Sequence, residues 1–259
     1  MRRLTVLTDF GTADGYVAAM KGVVASLAPL VLLDDAGHEI PQGDVARAAW
    51  ALAGYWSRFP EGTVHLVVVD PGVGTERRPL AVEADGRFVV APDNGVVSRV
   101  LADASRWSAV EVDPERLPVA ESSATFHGRD LFAPAAALLA AGRALGELGR
   151  PLSEPVLLRE PEPRRHRGGI EGDVVVQDRF GNLITNIPGE WVRTGMPVRV
   201  SGRSLEVRNT YGEVESGALL ALVNSAGRLE VAVRDGSAAR ELDAEPGLPV
   251  KVIVETAGA

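Results

Sequence analysis

The run Val64-His65-Leu66-Val67-Val68-Val69 is almost continuously β-branched, with no strict alternation of polar and apolar residues. A strand of that kind suits a parallel sheet covered on both faces. The segments around it supply the cover. Residues 4–8 read as a strand, and residues 15–27 as a helix with Val17, Met20, Val23, Val24 and Leu27 on one face. Residues 30–34 form a short apolar strand ended by acids, and residues 44–56 a second helix with Asp44 as its cap. Residues 80–84 and 87–91 flank Asp85-Gly86, a hairpin signal. Helical stretches at 96–102 and 131–141 complete a doubly wound, Rossmann-like layer with a mostly parallel sheet.

From residue 150 to 169 the composition changes. Pro151, Pro155, Pro161 and Pro163 are interleaved with charge, Arg164-Arg165-His166-Arg167 follow, and Gly168-Gly169 close the stretch. This reads as an extended linker with a solvated basic cluster. Beyond it the pattern is β throughout, at 170–177, 197–201, 204–207, 219–223, 229–233 and 249–255. Short strands spaced by glycine turns predict a small all-β, barrel-like domain. The expected division is an α/β domain over 1–150, a linker over 151–169 and a β domain over 170–259.

Composition narrows the function. No apolar run approaches the ~20 residues of a membrane helix, and the start, Met1-Arg2-Arg3-Leu4, leads straight into a strand. The absence of cysteine excludes disulfides, thiolate metal sites and cysteine nucleophiles. A cytoplasmic protein is the expectation. A net charge of -8 makes nucleic acid and anionic membranes poor partners.

Besides the strand at 30–34, two more strands end in carboxylates, Asp9 and Asp70. In α/β proteins ligands bind just beyond the carboxyl ends of strands. Asp9, with Asp14 near the start of the following helix, suits ribose hydroxyls, an ammonium or a metal, and not a phosphate. Asp70 opens Asp70-Pro71-Gly72-Val73-Gly74-Thr75-Glu76-Arg77-Arg78, which is neither a Walker loop nor a dinucleotide fingerprint. The plainer reading of Asp70 is a turn cap paired with Arg77. His127 precedes a helix, lies outside any apolar face and is followed by a glycine. It is a better catalytic candidate than His65 inside its strand, His166 in the linker, or His38, for which a structural role is expected.

Asp93-Asn94-Gly95 reads as a cap for the next helix or as support for the ligand-side loops. The segment from Gln177 to Asn186 is too polar for a simple turn; Asn182 carries the donor and acceptor that an adenine edge requires. The competing account of Asp178 and Asn182 is an Asx-turn. Tyr211, and Asn224-Ser225 at a strand end, look like further loop residues open to a ligand. Asp9, Asp14, Asp70 and His127 could in principle make a divalent site, but no HxH, HxxxH or HxD pair supports one. The expectation is no metal and no other cofactor.

The ordered set Thr8-Asp9-Phe10-Gly11 with Asp14, Met20-Lys21-Gly22, Asp70-Pro71-Gly72-Val73-Gly74-Thr75 with Arg77, Ala91-Pro92-Asp93-Asn94-Gly95, Phe126-His127-Gly128-Arg129-Asp130 and Phe180-Gly181-Asn182-Leu183-Ile184-Thr185-Asn186-Ile187 resembles the S-adenosyl-L-methionine (SAM) hydroxide adenosyltransferases. These are adenosine-forming SAM hydrolases, related to the fluorinase and chlorinase. The likeness runs from residue 4 to about residue 239. It implies that Asp70, Arg77 and His127 hold and activate the attacking water, which of them acts as base being left open. It implies that Asp9 grips the ribose hydroxyls, and that Asp14 and Phe126 lie at the substrate, Asp14 beside the methionine moiety. Asp178 then falls near the ammonium, Asn182 at adenine, Tyr211 packed on adenine and Ser225 at the carboxylate. Glu230 and Ala238 fall near the adenine end. The fluorinase has a tyrosine in place of Asp70, Tyr-Ser in place of His127-Gly128, and an arginine in place of Ala226. The resemblance therefore implies conversion of SAM and water to adenosine and L-methionine in a cyclic homotrimer with sites at subunit boundaries. The alternatives are a halide-using adenosyl transferase, a SAM or adenosine sensor without turnover, and a metal phosphohydrolase.

Overall fold

The computed structural model describes residues 2–118 and 123–254; Glu255, the last residue of the final expected strand, lies outside them. The chain forms two compact units, Met1–Leu158 and Arg159–Ala259.

The first unit is built on a seven-stranded sheet. Its strands are β1 (Arg3–Thr8), β2 (Leu32–Gly37), β3 (Val64–Val68), β4 (Pro79–Ala84), β5 (Arg87–Pro92), β6 (Trp107–Val112) and β7 (Gly149–Pro151), in the order β2-β1-β3-β5-β4-β6-β7. The pairings from β2 to β5 are parallel. Those from β5 to β7 are antiparallel, because Asp85-Gly86 turns β4 straight back into β5. The parallel half is the one that carries Asp9 and Asp70.

Helices α1 (Tyr16–Leu27), α2 (Val45–Tyr55), α3 (Ser98–Asp103) and α4 (Ala133–Ala141) cover the sheet. Alternation along each strand sorts the core into two layers. Leu4, Val6, Leu66 and Val68 join Met20, Val24 and the alanines of α4. Leu7, Val67, Val69 and Val89 join Ala48, Leu52 and Val100 beneath α2 and α3. β3 is buried at every position, as its unbroken apolar run requires. Truncating one of its side chains, Leu66→Ala for example, costs about 2–5 kcal/mol. His65 belongs to this core: it is fully buried, with Nδ1 2.9 Å from Thr5 Oγ1.

Asp44 caps α2 as expected, accepting from the Arg47 amide. Asn94 does not cap a helix. Its Oδ1 accepts from the Val96 amide, and α3 starts only at Ser98 with Val97 as N-cap. The side-chain oxygen of Asn94 accepts within a nearer turn instead.

The second unit is a closed barrel. β9 (Gly169–Gln177), β10 (Leu183–Pro188), β11 (Pro197–Val200), β12 (Arg203–Arg208), β13 (Leu219–Val223), β14 (Arg228–Val233) and β15 (Pro249–Ile253) run in the order β10-β14-β13-β12-β11-β15-β9, and the β9–β10 pairing closes the ring. A short strand before them, β8 (Arg164–His166), lies on the flank of β9, so the basic end of the proline-rich stretch is ordered against the barrel. Ile170, Leu183, Val198, Leu229 and Val231 fill the interior. Closure leaves no open edge among these seven strands. A single helical turn, α5 (Ala238–Glu241), follows β14 and is capped by Ser237.

Candidate active site

β1 and β3 lie side by side and parallel, with Thr8 level with Val68. Their carboxyl ends therefore deliver Asp9 and Asp70 to one edge of the sheet. Asp9 is oriented by the Gly43 amide, which donates to its Oδ2 at 2.8 Å. Asp14 stands exposed in the loop ahead of α1.

Asp70, Arg77 and His127 meet. Asp70 Oδ1 accepts from the Gly72 amide at 3.2 Å and from Arg77 Nε at 3.0 Å; Asp70 Oδ2 accepts from Arg77 Nε at 2.9 Å and from Arg77 Nη2. The same Nη2 lies 2.8 Å from His127 Nδ1. Asp70 is thus a turn cap and an ion-pair partner, and that pair reaches the histidine. The side chains of Asp70 and Arg77 are only 5% and 10% exposed, so the pair is shielded from the screening that makes surface ion pairs weak.

A guanidinium donates and never accepts. His127 Nδ1 must therefore be the acceptor, and the neutral ring carries its proton on Nε2. Burial, and next the positive charge of Arg77, push the His127 pKa below the usual 6.5, against the opposing charges of Asp70 and Asp130. Arg77 also lies over the buried Phe132, 4.9 Å from the ring centroid.

The local chain explains how the three are held. His127 is the N-cap of a π-helical turn, Gly128–Phe132, that runs into α4; such turns are rare and concentrate at functional sites. Asp130 accepts from the Ser123 amide and from Arg129, which fixes the approach to His127. Gly74 has φ 78, and a Cβ there would sit 2.9 Å from the Ala124 carbonyl oxygen. The glycine between Asp70 and Arg77 thus lets the two loops touch. Phe126 packs edge to face on Phe10 and Tyr16, with centroids 6.0 and 5.2 Å away, joining the Asp9–Asp14 segment to the His127 segment.

Arg78, the next residue along, is committed elsewhere. Its guanidinium binds the buried Asp93, whose other oxygen accepts from the Val156 amide. Asn94 donates to the Val69 carbonyl, directly before Asp70. His38 is buried between Thr8 Oγ1, 3.0 Å from Nδ1, and Asp35 Oδ1, 3.2 Å from Nε2, the structural position expected of it.

In the second unit Asp178 accepts from the amides of Phe180 and Asn182 and from Asn182 Nδ2 at 3.0 Å, so the Asx-turn exists. It commits one amide hydrogen of the buried Asn182. Gly181, at φ 87, allows Ser237 to close against the turn, and the Ala239 amide donates to Gly181 O. Asn182 and Ala238 are brought together in this way. Tyr211 donates from its hydroxyl to Glu230 Oε1 at 2.6 Å, and Asn224 Nδ2 donates to Glu230 Oε2 at 3.2 Å. Burial raises the pKa of Glu230, and the charge of Asp178 adds to it. The Tyr211 phenol is likewise pushed well above its usual 10, by burial first and then by Glu230. Ser225 is exposed at the tip of the β13–β14 turn.

Sequence reasoning missed Phe132, the hold of Asn94 on Val69, and the contact of Phe10 and Tyr16 with Phe126. A π turn places Phe132 five residues after His127, a spacing with no helical periodicity to reveal it. Among the described residues, no group of three or more His, Asp and Glu converges as a metal site, and no helix is long and apolar enough to cross a membrane.

Comparison with known proteins matches both units. The model of the SAM hydroxide adenosyltransferase N-terminal domain matches residues 4–149, and that of the C-terminal domain residues 172–251. A protein of Thermus thermophilus named (R)-S-adenosyl-L-methionine hydrolase is 45% identical over 98% of this chain and 100% of its own length. A fluorinase of an Actinoplanes species is 32% identical over 71% of each chain. A crystal structure of an uncharacterized conserved protein from Thermotoga maritima superposes with a TM-score of 0.90 at 34% identity, over 97% of this chain and 100% of that one.

Proposed function

This chain belongs to the SAM hydroxide adenosyltransferase family, and from that membership we propose that it is a hydrolase converting SAM and water to adenosine and L-methionine. The observation that carries the reading is the contact of Asp70, Arg77 and His127.

Attack at C5′ expels a neutral thioether from a sulfonium, so the leaving group needs no proton. What the enzyme must supply is a water held in line and stripped of its proton. His127, neutral with its proton on Nε2, donates to the water oxygen and orients it. Asp70 carries the negative charge that draws the proton, and Arg77 fixes Asp70 and stabilises developing hydroxide character. Asp9 holds the ribose hydroxyls, Asp14 and Phe126 flank the substrate, and Asn182, Tyr211, Ser225, Asp178 and Ala238 receive adenine and the methionyl group. The substrate is a cation, and exclusion of bulk water favours the transition state, in which that charge disperses. No metal or other cofactor is required by this chemistry.

Asp70 and His127 favour water over halide, because the family resemblance places a tyrosine and a Tyr-Ser pair there in the fluorinase. The assembly we propose is a cyclic homotrimer with each site shared between subunits, supported by the division of the site residues between two separately folded units. A cytoplasmic location is supported by the absence of cysteine.

Incubation with SAM and identification of the products tests the reading. Adenosine and methionine should appear in equal amounts, unaffected by chelator, with heavy oxygen from water on the 5′ hydroxyl. S-adenosylhomocysteine or methylthioadenosine in their place would overturn it. The L descriptor already fixes the α-carbon, so the (R) in the relative's name refers to sulfur, and both sulfur epimers belong in the assay.

A further inference from the structure

Glu230 lies on β14 between Leu229 and Val231, which face the barrel interior. By strand alternation its side chain points to the outside of the barrel, the side of Leu220, Leu222 and Ala232. It is nevertheless only 3% exposed. A carboxylate buried on an outer face is costly unless its oxygens are satisfied, and here each oxygen has a protein donor. Tyr211 reaches it from the turn after β12, and Asn224 from the turn after β13. The Asn224 amide cannot turn round, because its Oδ1 already accepts from the Ala226 and Arg228 amides at 3.0 and 3.1 Å.

We propose that Glu230 is a positioning residue of the substrate site: its two oxygens hold the Tyr211 ring and the turn that carries Ser225 in register with each other, and it does not itself touch substrate. The inference rests on the SAM reading above, which places Tyr211 and Ser225 at the ligand. It assigns Glu230 a role different from a direct adenine contact, because the carboxylate is buried and the donor that meets each oxygen comes from the protein itself.

The two donors make the amide variant informative. A glutamine keeps one acceptor oxygen, for Asn224, and its N–H can meet the oxygen of the Tyr211 hydroxyl, so Glu230→Gln replaces the charge-assisted bond to Tyr211 by a weaker, reversed, neutral one. Glu230→Ala satisfies neither. The KM for SAM should therefore rise in the order wild type, Glu230→Gln, Glu230→Ala, by about tenfold or more at the end of the series, with kcat changed less than about threefold. Tyr211→Phe added to Glu230→Ala should cause no further rise. In the free protein the Tyr211 phenol, identified by its loss in Tyr211→Phe, should ionise at lower pH in Glu230→Ala, because a carboxylate that opposes its charge is gone. An unchanged KM, or a Tyr211 titration indifferent to Glu230, overturns the proposal while wild-type turnover leaves the functional reading standing. A loss confined to kcat overturns it as well. If the wild type neither hydrolyses SAM nor binds adenosine, the functional reading fails and the positioning role falls with it. Should Glu230→Ala fail to fold, Glu230→Gln alone carries the KM and titration tests.

Discussion

The two clusters of polar side chains are wired in opposite ways. In the α/β unit a cation sits at the centre: Arg77 binds Asp70 through Nε and Nη2 and reaches His127 through the same Nη2. In the barrel the acids Asp178 and Glu230 are held by neutral donors, the amides and hydroxyl of Phe180, Asn182, Asn224 and Tyr211. Among the described residues neither enters an ion pair. The first cluster is electrostatically complete, and the second lacks a positive charge. A cationic ligand would answer that lack, and under the proposed function the contrast separates a part that does chemistry from a part that selects the substrate.

The sharpest break in the comparison should come from the complete cluster. Asp70→Asn removes the charge that draws the proton and should lower kcat by about 10²–10⁴-fold while leaving SAM binding nearly unchanged. Equal rises in KM for this variant and for Asp9→Ala, with kcat intact, would remove Asp70 from catalysis.

A second effect is set by His65, which burial holds down to about 4. The unfolded chain binds a proton near 6.5 that the folded one refuses until about pH 4. Stability is therefore full above pH 6.5 and falls as the pH drops towards 4, by about 3 kcal/mol in all. Denaturant unfolding followed by the tryptophans should show this slope, and His65→Asn should flatten it. Trp191 reports on the barrel and Trp56 on the α/β unit, so the acid sensitivity should follow the second probe.

The acid limb of kcat/KM sharpens the contrast further. His127 is depressed below 6.5 by burial and by Arg77, so activity should persist below that pH. Arg77→Gln, besides lowering activity, should move the limb upward; an unmoved limb would mean that His127 does not titrate in it. The smallest expected effect belongs to the cluster without a cation. Asn182→Ala should raise KM by about tenfold with kcat nearly constant. At SAM concentrations far below the raised KM, mixing Asp70→Ala with Asn182→Ala chains should give more activity than the two measured apart, in a trimer with shared sites. A monomeric mass in solution would sink that arrangement.

Much of this was legible in the residues. The unbroken run at β3 called for a sheet covered on both faces, and the acids after β1 and β3 marked the edge where Asp70 meets Arg77 and, through it, His127. The hairpin at Asp85-Gly86 was equally plain, but its consequence, an antiparallel half for the sheet, was not. Pairing depends on which neighbours a strand finds in space, and β6 carries no signal for that. Asp178 and Asn182 kept two readings open because an Asx-turn and a ligand site draw on the same side chains. For Glu230 the sequence held no sign of its burial or of the two donors that meet its oxygens, because both come from turns outside its own strand.

The π turn under His127 has a hereditary consequence. A turn of five residues, Gly128–Phe132, holds one more residue than the α-helix it feeds. Loss of a single codon there would let α4 continue regularly and swing His127 by about 100° around the axis, away from Arg77, while leaving the alanine-rich body of α4 on the sheet. A lineage could therefore gain or abandon the Arg77–His127 contact through one small insertion or deletion. A one-residue deletion within 128–132 that folds normally, with Arg77 and His127 no longer in contact, would display that step.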